Sequence, residues 1–359
     1  AFTALFGMGG VPLFSMARGA GDPQRAGRIL GTSCALLVVS SLILTALGYA
    51  FCRSILFAFG ASEDSYVYAR AYLNIYLIGT VFSMPATGLN GYINAQGFPR
   101  IGMLSTVIGA VVNIVLDPIC IFVLNMGVSG AALATAISQC VSFTILAIGF
   151  SRSDNVKIRL QNFCPNAKYL RGILQGGLPS LARQGIASVS SACLNHAIGM
   201  FAGAALMIDA AQAAMTGVNR ITLVLASILI GFGQGFQPVC GFNYGAGRHD
   251  RVRDAFSFCV KLAAVVLTVL AALGFLFARP LTNLVTGASV EASKIAVYAF
   301  RAQMVTLPLS SWVVLCNMML QNIGVTGKAT LLALARQGLA FIPLVLLLPG
   351  LMELMGFTP

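Results

Sequence analysis

Ten stretches of this chain are long and apolar enough to cross a bilayer as helices of roughly 20 residues each. No other feature limits its fold as strongly. The stretches are 1–17, 30–58, 65–90, 102–124, 127–150, 176–203, 208–240, 255–283, 291–320 and 330–350. Of the 359 residues, 58% are hydrophobic and 9% are charged. A soluble domain carries roughly 25% charged residues, and no soluble fold of this length hides so much apolar surface. Lipid is therefore the solvent, and the expected class is an all-α, multi-pass protein of the cell membrane.

Charge orients the spans. The formal charge is +12, but it lies in short clusters between apolar runs, without the continuous basic patch that binds nucleic acid. The connections 18–29, 91–101, 151–175, 241–254 and 321–329 hold thirteen lysines and arginines, and the opposite connections hold none. The positive-inside rule places the thirteen in the cytoplasm. The long connection 151–175 reads as a linker between halves. The nine cysteines are scattered without a CxxC pair and read as small hydrophobes. His196 and His249 lack metal-ligand spacing, so no metal site is expected.

One acid stands out. In NIVLDPICIF, residues 113 to 122, Asp117 is surrounded by apolar residues, where an ionised carboxylate costs at least ~2.5 kcal/mol. A structural reading makes it a helix cap or kink beside Pro118. A functional reading makes it a switchable charge, because burial disfavours the ionised form.

The chain also repeats. GGVPLFSMARGAGDPQR is echoed by GFQPVCGFNYGAGRHDR, pairing Gly9 with Gly235, Pro12 with Pro238, Gly19-Ala20-Gly21 with Gly245-Ala246-Gly247 and Arg25 with Arg251, all 226 apart. Gly60-Ala61-Ser62 recurs as Gly287-Ala288-Ser289 at 227, while Gln96 with Gln321 and Pro118 with Pro343 stand 225 apart. Six spans fit one period, so the repeat is parallel. Two pseudo-symmetric bundles are expected, 1–160 lacking its first helix and 161–359 lacking its last, about ten spans of a complete twelve.

The loop GAGDPQRA together with NIVLDPICIFVLNMGVSGAALATAISQ, GFGQGFQPVCGFNYGAGRHDR and ALARQGLAFIPLVLLLP resembles the MATE (multidrug and toxic compound extrusion) family, most closely its MepA-like branch. The resemblance implies two six-helix lobes, and antiport of small amphiphilic or cationic drugs against H+ or Na+. It also implies a coupling-cation set in the N-terminal lobe, here Tyr72, Asn113, Asp117 and Thr135. Asn113 and Asp117 are one helical turn apart. Counting along the spans at 1.5 Å per residue puts all four at roughly 10 to 12 Å depth. The resemblance also implies an acidic residue on the first helix, which falls in the segment expected to precede Ala1.

The C-terminal half repeats LARQG at 181–185 and 334–338. Gln184 and Gln337 are expected as polar contacts of a substrate cleft, with Arg183 and Arg336 beside them. The arginines have a second reading, as hydrogen-bonding partners of helix ends. Residues 176–203 hold no acid, and Glu291 stands at the outer end of its span, so no second carboxylate cation site is expected. Asp209 reads as an N-cap. No cofactor is expected beyond the coupling ion, and the protein is expected to be a monomer. An enzyme would need a nucleophile with its base or a metal cluster, and neither pattern occurs. The rival within transport is a lipid-linked oligosaccharide flippase of the same superfamily.

Overall fold

The computed structural model describes residues 2–58, 63–151, 156–158, 162, 166–201, 205–286 and 290–354. Among these the regular structure is helical, with no strand. A π-helical turn, Ala4–Met8, leads into α1 (Gly9–Gly19), followed by α2 (Pro23–Ala50), α3 (Cys52–Ala58) and α4 (Glu63–Ala95). Next come α5 (Pro99–Pro118) with a π-helical turn Ile119–Val123, α6 (Gly127–Ser151), α7 (Ala167–Phe201) and α8 (Ala205–Gly245). The chain continues through α9 (His249–Leu276), α10 (Ala278–Thr286), α11 (Val290–Asn322), α12 (Thr326–Leu334), a π-helical turn Ala335–Leu339 and α13 (Phe341–Leu354).

Helices occupy all ten expected spans. Six of the described helices, within α2, α5 with its π turn, α6, α8, α9 and α11, are long and apolar enough to cross a bilayer. Two expected spans, 30–58 and 255–283, are each broken by a single residue. Phe51 and Phe277 leave helical geometry (φ −108°, ψ 20° and φ −93°, ψ 21°), and their N–H groups close the last turn onto Leu47 O and Leu273 O. The 28 residues of α2 or α9 reach roughly 42 Å at the helical rise, which already crosses the bilayer. The short helices beyond carry Arg53 and Arg279, which belong at the surface.

The chain forms two compact units, Ala1–Leu178 with Gly241–Gly247, and Pro179–Cys240 with Arg248–Pro359. In the first, α4 packs on α2 and α6, and α6 on α5. Its core holds Phe14, Leu30, Leu37, Tyr92 and Ile93. Tyr92 is fully buried, and its hydroxyl donates to Ser33 Oγ at 2.6 Å. That bond removes the penalty of an unpaired buried hydroxyl. Phe14 meets the Tyr92 ring edge-on at 5.3 Å. Helices approach closely where one side is glycine, as membrane packing favours: a Cβ on Gly79 would stand 3.0 Å from Ala136 Cα. In the second unit α11 packs on α9, α10 and α12.

The repeat is visible in matched contacts inside each unit. Asn90 Nδ2 donates to Gly102 O at 2.8 Å, and Asn317 Nδ2 donates to Ala329 O at 2.5 Å. Each bond spans a turn whose glycine has positive φ, Gly97 (91°) or Gly324 (82°). Gly48 faces Leu77 as Gly274 faces Met304. The offset is 226 in α2 and α9 but 227 in α4 and α11, so Gln321 corresponds to Asn94 rather than Gln96. The Gly60-Ala61-Ser62 match lies outside the described residues.

Candidate functional site

α5 and α6 form a hairpin pinned above and below one polar level. On one side Gly109 of α5 leaves room for Ser142 of α6, whose Oγ donates to Ser105 O at 2.9 Å. On the other, a Cβ on Gly130 would stand 2.6 Å from Cys120 O. Asn125 turns the chain with φ 50°, a conformation Asn tolerates. Met126 N–H closes the turn onto Cys120 O at 3.2 Å.

Between the two pins lie Asn113, Asp117 and Thr135. The Asn113 amide Nδ2 donates to Asp117 Oδ1 at 3.3 Å and reaches Thr135 Oγ1 at 3.4 Å. Thr135 Oγ1 donates to Ala131 O at 2.9 Å, which leaves its lone pairs to face Asn113. All three side chains are half-buried. Among the described residues Asp117 makes no ion pair, and no backbone N–H caps it. Pro118 follows directly. It lacks an N–H, and its ring clashes with the carbonyl four residues back. The next turn widens to π geometry, with Leu124 N–H on Ile119 O at 2.9 Å.

Tyr72 stands on α4 within Coulombic range of Asp117. It is not hydrogen-bonded to the other three. Its ring stacks on Tyr76 at 5.8 Å and 15°. Three of the four expected residues thus form one hydrogen-bonded set, with Tyr72 beside it. Gln139, one turn from Thr135 on α6, was not anticipated. Its Oε1 is buried against Gly79 without a hydrogen-bond partner. The i, i+4 spacing from Thr135 was the available signal. The set offers oxygens from a carboxylate, an amide, a hydroxyl and a phenol, a hard donor set suited to a proton or to a small hard cation. No cluster of three or more His, Cys, Asp or Glu occurs among the described residues.

The second LARQG segment coincides with the π-helical turn Ala335–Leu339. A Cβ on Gly338 would meet the Ile186 side chain at 2.6 Å, so the two LARQG segments sit on touching helices of the second unit. Arg183 is half-buried, beside Val313, Asn317 and Leu332 in a small cavity. Gln184 is exposed on α7. The side chains of His196, Asp209, Glu291, Arg336 and Gln337 lie outside the described residues.

The MatE family model matches residues 1–119 and 185–347. The multidrug export protein MepA of Staphylococcus haemolyticus is 26% identical over 358 residues, 99% of this chain and 77% of that protein. An outward-facing multidrug resistance MATE transporter of the MOP superfamily superposes with a TM-score of 0.87 at 27% identity, covering 95% of this chain and 75% of that one. A MATE crystal structure in complex with MaD3S gives 0.88 at 26% identity, covering 96% of this chain and 76% of its own.

Proposed function

Because the chain belongs to the MatE family, we propose that it is a secondary active transporter exporting drugs or toxic organic compounds. Inward flow of H+ or Na+ drives the export, and two lobes alternate in access. The observation that supports the coupling step is the Asn113–Asp117–Thr135 set, a carboxylate without an ion-pair partner among the described residues in a membrane-spanning hairpin. An ion drives such a protein only by binding one conformation better than another, and Asp117 is the group whose charge an ion changes.

Of the two ions, we favour H+. Asn113 presents its NH2 to both neighbours. A proton on Asp117 Oδ2 leaves both contacts intact, because Oδ1 still accepts. A sodium ion would draw on the carboxylate, hydroxyl and phenol oxygens, and gain the amide oxygen only if the Asn113 amide turned. The flippase reading has less support, since the named relative is a multidrug export protein. The membrane is the working environment, and small drug-like molecules are the proposed cargo, with transport rather than catalysis as the activity.

Asp117→Asn keeps the volume and removes the carboxylate. At matched protein levels in vesicles, the unaltered protein should expel a cationic dye when a proton gradient is imposed, and Asp117→Asn should not. Efflux at the unaltered rate would remove Asp117 from the coupling step. Dye efflux that follows an imposed Na+ gradient and ignores pH would overturn the proton assignment alone.

A further inference from the structure

The second unit carries an open groove of about 720 Å3 at the end farthest from the basic connections. Its walls are Arg220 and Val224 of α8, Leu273 and Phe277 at the end of α9, Leu284 of α10 and Phe300 of α11. Apart from Arg220 all its described lining residues are apolar. Leu284 and Val224 are 87% and 65% exposed, so the groove opens sideways rather than into a core. In a bilayer an acyl chain is what fills such a space.

Depth and charge narrow the occupant. Arg220 is 25 residues from the basic end of α8 at Gly245, roughly 37 Å along the helix. The hydrocarbon core is about 30 Å thick, and 40–45 Å with headgroups. Arg220 therefore stands at the phosphate level of the far leaflet, with Val224 one turn deeper among the chains. Among the described residues Arg220 makes no ion pair, and no acidic side chain lines the groove. Arg301, which follows the lining residue Phe300 in the chain, sits over the Phe275 ring at 4.9 Å, with its Nε buried and unpartnered. Arg220 is exposed at this level, and a phosphate can meet its guanidinium through two parallel hydrogen bonds. Among the described residues the groove offers a guanidinium to a phosphate and no carboxylate to a choline or ethanolamine ammonium.

We propose that this groove binds one anionic phospholipid of the far leaflet, with an acyl chain between α8 and α9 and its phosphate on Arg220. Trp312 is the single tryptophan, so Trp312→Phe with Leu284→Trp places one fluorescent reporter at the groove. The protein is reconstituted in vesicles of phosphatidylglycerol or phosphatidylcholine, with bromine on the acyl chains of one lipid at a time. Quenching should report phosphatidylglycerol bound about fivefold more tightly, the effect of one arginine near a headgroup. Arg220→Gln should bring the ratio to about one, and Arg220→Lys should retain part of it. A ratio of about one with Arg220 intact overturns the proposal, as does a ratio that Arg220→Gln leaves unchanged. A reporter that neither lipid quenches shows that no chain enters the groove, which also overturns it.

Discussion

Tyr92 and Gly10 act as one unit. The Tyr92 hydroxyl occupies the space where a Cβ on Gly10 would lie, and it donates to Ser33 Oγ at 2.6 Å. Tyr92→Phe deprives a buried hydroxyl of its donor and should cost about 1–3 kcal/mol. Gly10→Ala should cost more, since the new methyl overlaps both oxygens. Thermal midpoints in detergent check both, and an unchanged midpoint for Gly10→Ala would contradict the packing. At the polar level of α5 and α6, Thr135→Val removes the oxygen that faces Asn113, whereas Thr135→Ser keeps it. Dye efflux should fall severalfold in the first and hold in the second. The sequence made part of this level legible. The family resemblance picked out the set; the i, i+4 spacing put Asn113 and Asp117 on one face, and counting along the next span put Thr135 at their depth. The Tyr72–Tyr76 stack and the orphan oxygen of Gln139 did not follow, because both depend on how α4 rotates against α6. Hydropathy is silent about that rotation when neither face of a helix meets water.

The α5–α6 hairpin is set by two small-residue contacts and one proline. Gly109→Ala places a methyl against Ser142 Oγ and should destabilise by about 1–3 kcal/mol, the usual range for overpacking. Ser142→Ala removes the obstructing oxygen, so the double variant should be more stable than the sum of the two singles. Additive losses in thermal midpoint would show that the two residues do not touch. The span itself was readable as one apolar run from 102 to 124, but its change from α to π geometry after Pro118 was not. Proline announces a lost hydrogen bond, and the packing around Cys120 and Gly130 selects which wider turn absorbs it. The breaks at Phe51 and Phe277 escaped the sequence for a related reason. Apolar residues run through both points, and only the completed bilayer crossing ends the helix there.

Across the whole chain the repeat was the most legible feature, because glycines at turns and asparagines at helix ends have few substitutes. Its slip from 226 to 227 was obscured by a coincidental glutamine match. The orientation is open to a direct check. Single cysteines at Gln24 and Asp250, in a background without the native thiols, should react with an impermeant maleimide only from the cytoplasmic side, and at Asn125 and Asn283 only from the other. The opposite pattern would reverse the assignment drawn from the basic connections. The first unit also borrows Gly241–Gly247 from the end of α8, where Gly245 approaches Met16 and Gly19 approaches Phe242 backbone to backbone. A ribosome adds roughly 5–20 residues per second. Once α6 has emerged, some 96 further residues (247 − 151) must be made before those contacts can form, a delay of about 5 to 20 seconds. During biosynthesis α1 must therefore wait in the bilayer with that face uncovered, a window in which an insertase or chaperone has something to hold.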